Sequence, residues 1–227
     1  MAGVFNSLAV LSALALMALR YLIPCGTLRK VVAFSGSTGA LHWPVIAAVG
    51  MMFFFLAQGG VWAYVELIGR DIGLDPESIG MILALGLVTS ILGAAAAAWI
   101  GDRVSYLVVF GVVAVCETAA FLMLSHGKSG PIFIAAIVLF GIMWNFGIPY
   151  TMTALTRVDP SGRFVVLIPA IQGLGVGLGP IIIAAFVSSE NLVPVGYVGS
   201  VAILAALLIY LPVLGRLRAM SSAPTKD

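Results

Sequence analysis

The sequence predicts an all-α integral membrane protein with seven transmembrane helices, and three observations carry that prediction. Hydrophobic residues make up 62% of the 227 residues and charged residues only 9%, with a mean hydropathy of +1.17. Soluble domains hold roughly 25% charged residues, so this chain lacks the polar surface to dissolve in water. The apolar residues also fall into long runs, and a run of about 18 or more is read as a membrane-crossing helix. Finally, nine of the eleven Lys and Arg lie on one side of the weave these runs make.

The predicted helices cover about 4–23, 43–66, 78–100, 105–125, 131–153, 164–187 and 195–214. Each holds about 20 residues, enough to cross roughly 30 Å of hydrocarbon at 1.5 Å per residue. None shows the alternation of a barrel strand. The first run has no basic residue before it, and its only charge, Arg20, follows it. That is the reverse of a secretory signal, so it reads as a retained helix.

The charges agree with one topology. Arg20, Arg29, Lys30, Arg103, Arg157, Arg163, Arg216, Arg218 and Lys226 fall on one side, and only Arg70 and Lys128 on the other. Positive charge is retained in the cytoplasm, which sets the N-terminus outside and the C-terminus inside, in a plasma (inner) membrane. The organisation is then a single helix at 1–23, a cytoplasmic connector at 24–42, a six-helix unit at 43–214 and a mobile cytoplasmic tail at 215–227.

Several functions are disfavoured. The net charge is only +2 with no basic run, so nucleic acid is not an expected partner. Cys25 sits at a membrane edge and Cys116 deep in a helix, which argues against a disulfide. His42 and His126 fall at opposite faces, so no metal cluster is expected, and no cofactor either. A seven-helix receptor matches the helix count and orientation, but a retinal pigment needs a lysine inside a helix. Lys30, Lys128 and Lys226 all lie in loops or the tail. An intramembrane enzyme would need paired acids, a metal or a Ser-His set, and the helices hold none.

Polar residues inside the spans are the candidate sites, because burying them in lipid is costly. Gln58, Trp62 and Glu66 are spaced by four and share one helical stripe. Trp144 and Asn145 sit in W-N-F-G-I-P, where Pro149 frees a backbone carbonyl for a substrate, side chain or water. Gln172 shares a face with Gly175 and Gly179. These five side chains, Gln58, Trp62, Trp144, Asn145 and Gln172, are the candidate solute-binding set. Interhelical hydrogen bonds worth about 1 kcal/mol are the alternative for the amides, and an interfacial aromatic belt is the alternative for Trp62.

Glu117 is the carboxylate nearest a membrane midplane, about 12 residues or 18 Å into its helix. A carboxyl in low dielectric can take up and release a proton, which makes it a candidate for proton coupling. The alternative is a neutral acid hydrogen-bonded to a neighbour. Glu66 is a second candidate, with pairing to Arg70 at i+4 as its alternative. In 170–180, A-I-Q-G-L-G-V-G-L-G-P, Gly173 and Gly177 are four apart, as are Gly175 and Gly179, ahead of Pro180. Two faces of this helix can therefore admit close packing, with a mild kink at the proline.

The turn at 93–105 reads G-A-A-A-A-A-W-I-G-D-R-V-S. With Asp102 and Arg103 it resembles the loop between the eighth and ninth helices of the major facilitator superfamily of secondary transporters. Ala98 stands where that motif has its leading Gly, Ser105 stands at its second Gly, and no further Arg follows. The segment 57–70, A-Q-G-G-V-W-A-Y-V-E-L-I-G-R, is similar to the seventh helix of bacterial members. Gly175-x-x-x-Gly179-Pro180 is similar to part of an antiporter motif, but Ile181 to Ile183 replace its further glycines.

The resemblance implies that 43–214 is the C-terminal six-helix half, 4–23 the sixth helix and 24–42 the connector between halves. It further implies alternating-access transport of a small solute, Asp102 and Arg103 as a conformational latch, and cavity-facing positions for Gln58, Asn145 and Gln172. It puts Glu117 on a peripheral helix. The one-plus-six arrangement that the resemblance implies leads to the expectation of a truncated or partial transporter, with a missing N-terminal half or partner chain. A non-functional remnant or interaction subunit is the alternative.

Overall fold

The computed structural model describes residues 41–188 and 191–221. The predicted helix at 4–23 and nearly all of the connector lie outside the described residues, as do Cys25 and the positions of the predicted tail beyond 221. The described chain is helical throughout: α1 (His42–Trp62), α2 (Val65–Asp71), α3 (Pro76–Ile100), α4 (Tyr106–His126), α5 (Gly130–Val158), α6 (Arg163–Val166), α7 (Ile168–Ala184) and α8 (Pro194–Ser221). No strand occurs among the described residues; a single isolated bridge joins Ser188 and Asn191. Among the described residues, five helical stretches, with α1 and α2 counted together, are long and apolar enough to cross a membrane, and α7 adds a shorter apolar helix. This is a multi-pass, all-α membrane protein.

The predicted helix 43–66 is interrupted. The Tyr64 N–H donates to the Val61 carbonyl at 3.0 Å, a tight turn just after Gly59 and Gly60, whose missing side chains weaken helical order. The helix then resumes as α2 and runs on to Asp71. The predicted helix 164–187 is split for a different reason. Pro169, the second residue of α7, has no N–H to continue the ladder from α6, so the two separate at Leu167. Two helices overrun their predicted ends: α5 continues to Val158, and α8 to Ser221. In α8 the extra residues Arg216 to Met220 are good helix formers, and Arg216 and Arg218 complement the negative C-terminal end of the helix dipole.

Helix ends are set by local chemistry. Asp75 caps α3, its carboxylate accepting from the Ser78 N–H at 2.9 Å and the Ser78 hydroxyl at 2.6 Å. Those hydrogen bonds hold the Asp75 carboxyl below its ordinary value. Gly101 (φ +51°) turns the chain out of α3, and Ser105 caps α4. Asp159 organises the turn before α6, accepting from the Phe164 N–H (2.8 Å), the Val165 N–H (3.2 Å) and the Ser161 hydroxyl (2.6 Å).

α1 packs chiefly on α7 and α8, α3 on α5, and α4 on both α5 and α8. Met51, Phe54, Phe121, Phe140 and Tyr210 are buried between them. In the α1–α7 contact, glycines bring the two backbones together. A Cβ at Gly59 would come within 2.5 Å of Val176 Cα, and one at Gly179 within 2.5 Å of Gly60 N. Small residues let two backbones approach this closely, which is how helices gain packing where lipid offers no hydrophobic drive. The outer faces of α3 and α7 remain apolar and exposed, for example Val88, Ile91, Leu174 and Ile181.

Candidate functional site

On α4 the residues Val113, Ala114, Glu117, Ala120, Phe121 and Leu124 repeat at helical spacing and are all buried. That stripe turns Glu117 toward the bundle interior, where it meets Gln58 of α1. The Gln58 Nε2 donates to both carboxyl oxygens of Glu117, each at 2.7 Å, and neither residue has exposed surface. The Gln58 Oε1 is buried and has no partner among the described residues. A half-turn of the amide exchanges donor for acceptor, so the same pair can serve an ionised or a protonated carboxyl.

One turn beyond Gln58, Trp62 enters a group of rings. It lies 6.0 Å from Trp144, edge to face, and 6.3 Å from Phe140. Phe140 stacks on Trp144 at 5.5 Å and meets Phe121 at 5.3 Å. Thus Gln58, Trp62, Trp144 and Glu117 belong to one connected neighbourhood drawn from α1, α4 and α5. Asn145 is half-buried, and its Nδ2 reaches the Gly141 carbonyl only at 3.5 Å. Pro149 lies within α5 without ending it, and the Thr153 hydroxyl donates to the Pro149 carbonyl at 2.7 Å. Gln172 is half-buried on α7.

Glu66 stands apart from this group. It lies on α2, more than half exposed, and pairs with Arg70. The glycines of α7 also divide: Gly175 and Gly179 press on α1, while nothing lies within 4 Å of a Cβ built at Gly173 or Gly177. Pro180 accepts from the Tyr64 hydroxyl at 3.4 Å.

At the opposite end, Asp102 and Arg103 take separate partners. Asp102 accepts from Arg157, 55 positions away at the end of α5, at 2.6 Å, and from the Tyr106 hydroxyl at 3.0 Å. Arg103, in the turn after α3, reaches back to the Trp99 carbonyl of that helix. The Arg157 guanidinium also lies 5.2 Å from the Tyr106 ring centre, and the Tyr150 hydroxyl donates to the Gly101 carbonyl at 3.1 Å. A cavity of about 210 Å³ opens here, lined by Ala97, Asp102, Tyr106, Pro149, Tyr150 and Thr153, among others. In the sequence Arg157 is only an orienting charge, and nothing there ties it to Asp102. The Gln58–Glu117 contact has no sequence signal either, since the two residues lie on separate helices 59 positions apart.

The MFS_1 like family matches residues 45–157, a stretch that includes Gln58, Glu117, Trp144 and the Asp102 turn. The niacin transporter NiaP of Acinetobacter baylyi is 25% identical over 142 residues, covering 60% of this chain and 32% of that protein. The match therefore spans about a third of the relative's length. No solved structure matches the chain.

Proposed function

We propose that this chain, which matches a family of the major facilitator superfamily over about half of its length, moves a small solute across the bilayer by alternating access. In that mechanism one helical body rocks against another around a site inside the membrane. The described bundle supplies one body. A second, from the same or another polypeptide, closes the far side of the site.

One observation carries the reading. Within an apolar bundle of this family, Trp62, Trp144, Asn145 and Gln172 are half-buried rather than packed away. Polar side chains persist inside a membrane where they face the bundle interior or a watery path. With Gln58 they form the proposed solute-binding set. The relative's printed name gives its cargo as niacin, so niacin is the first solute to test.

Proton coupling is assigned to Glu117 rather than Glu66. Glu117 is enclosed and held by a single amide, whereas Glu66 is exposed and paired with Arg70. Asp102 and Arg103 form the proposed latch, with Arg157 as the cross-helix partner. The proposed orientation places the N-terminus outside and the C-terminus in the cytoplasm of a plasma (inner) membrane. The clustering of Arg103, Arg157, Arg163, Arg216 and Arg218 opposite Arg70 and Lys128 supports it.

Uptake into vesicles containing the chain together with the second body tests the transport reading. Labelled niacin, or another member of a panel of small acids, amides and sugars, should accumulate above the level of empty vesicles. A flat response to the whole panel would sink the reading. Glu117→Gln should abolish dependence on a proton gradient while leaving downhill exchange measurable, and unchanged gradient-driven uptake would remove Glu117 from that role.

A further inference from the structure

Four aromatic rings from three helices meet beside the Gln58–Glu117 pair, and they differ in how they are covered. Phe121 and Phe140 are fully buried, while Trp62 and Trp144 are only half-buried. Phe140 and Trp144, one turn apart on α5, lie nearly parallel at 20°, and Trp62 meets Trp144 at 67°. Two of the walls are therefore flat, apolar and incompletely packed.

Trp144 adds a second feature. Its Nε1 is shielded from solvent yet donates to nothing among the described residues. Buried indole N–H groups ordinarily find an acceptor, and leaving one unpaired costs free energy. A phenylalanine at 144 would stack on Phe140 without that cost, so packing alone does not account for an indole here. An acceptor arriving on a ligand does account for it.

A neutral amide borders the rings: Gln58, one turn before Trp62, has an unpaired Oε1. The Lys and Arg of the described helices are confined to their end regions, at Arg70, Arg157, Arg163, Arg216 and Arg218. The border thus offers neutral donors and acceptors instead of a counter-charge for an anion.

We infer that this cluster recognises a planar aromatic solute with a neutral hydrogen-bonding group of the carboxamide type. The ring lies against Trp62 and Trp144, and the carbonyl oxygen accepts from the Trp144 Nε1–H. This names a substrate class for the proposed solute-binding set, and so rests on that assignment; it is tested by binding alone, without transport.

The test uses the full chain in nanodiscs and calorimetric titration with two probes, benzamide and cyclohexanecarboxamide. They share the amide and differ in whether the ring is flat and aromatic. Benzamide should bind roughly threefold to tenfold more tightly. Trp144→Phe, which keeps the stack and deletes the donor, should weaken benzamide roughly tenfold without lowering the thermal midpoint of the ligand-free protein. Equal affinity for the two probes, binding of neither, or unchanged benzamide affinity in Trp144→Phe overturns the inference. The probe comparison on the unaltered protein stands even where the variant fails to fold. Discrimination without vesicle uptake of any solute would sink the transport reading alone, and uptake without discrimination would sink this inference alone.

Discussion

The Gln58 Nε2 lies 2.7 Å from both carboxyl oxygens of Glu117, 59 positions away, and neither residue reaches solvent. The contact ties α4, which otherwise packs on α5 and α8, to α1. A single amide is thus the direct polar partner of the Glu117 carboxyl among the described residues.

Truncating one side of that pair should cost more than exchanging it. Gln58→Leu strands a buried carboxyl and should lower stability by about 1–3 kcal/mol, whereas Glu117→Gln retains an amide contact and should cost at most about 1 kcal/mol. Reversible unfolding in mixed micelles measures both. A larger loss in Glu117→Gln would contradict the pairing.

The two glycine faces of α7 should respond oppositely to an added methyl group. At Gly179 a Cβ would collide with the α1 backbone near Gly60, whereas at Gly177 nothing lies within 4 Å. Gly179→Ala should destabilise by about 1–3 kcal/mol as α7 is pushed off α1. Gly177→Ala should be neutral or stabilise by up to about 1 kcal/mol, as helical glycines do when replaced by alanine. The same unfolding measurement separates them.

Asp102 and Arg157 are both substantially exposed, with side chains 65% and 42% accessible. An exposed pair is worth about 0.2–1 kcal/mol, so Asp102→Asn should barely change the melting temperature. If the pair acts as a latch, the variant should nonetheless alter transport rate well beyond that small stability change. Equal, small effects on both would reduce it to a surface ion pair.

Asp159 gives a pH-dependent expectation outside the membrane spans. Burial raises its carboxyl, but hydrogen bonds from Ser161, Phe164 and Val165 outweigh this and hold it below its ordinary value of 3.8. A carboxyl lowered on folding stabilises above its unfolded pKa and loses that contribution as pH falls through the folded value. Protection of the Phe164 and Val165 N–H groups from hydrogen exchange, corrected for intrinsic rates, should therefore persist at neutral pH and collapse only below about pH 3.9. In Asp159→Asn protection should be weaker at neutral pH and insensitive to that range. Acid-insensitive protection in the unaltered protein would contradict this account.

The helices were legible because membrane thickness demands long apolar runs, and the described ones appear near their predicted positions. Their interruptions were not, although the causes were visible: Gly59 and Gly60 precede one, and Pro169 begins the helix after the other. Hydropathy reports how apolar a run is and is blind to a broken ladder. Glycine spacing in 170–180 showed two possible packing faces, but choosing between them required α1, whose own Gly59 and Gly60 face Val176 and Gly179. The Asp102 turn was recognisable as a local pattern, while its partner Arg157 lies 55 positions away. Pairings over such separations depend on which helices become neighbours, and that information is not local.

The glycine-lined α1–α7 contact has a practical consequence for anyone wishing to watch this protein move. Spectroscopic labels need a side chain, and at Gly59, Gly60, Gly175 or Gly179 a label would wedge the two helices apart before reporting on them. Gly173 and Gly177 ride on the same helix with open space around them. A cysteine there, labelled and paired with a second label on α3, would follow the displacement of α7 without disturbing the surface on which it bears.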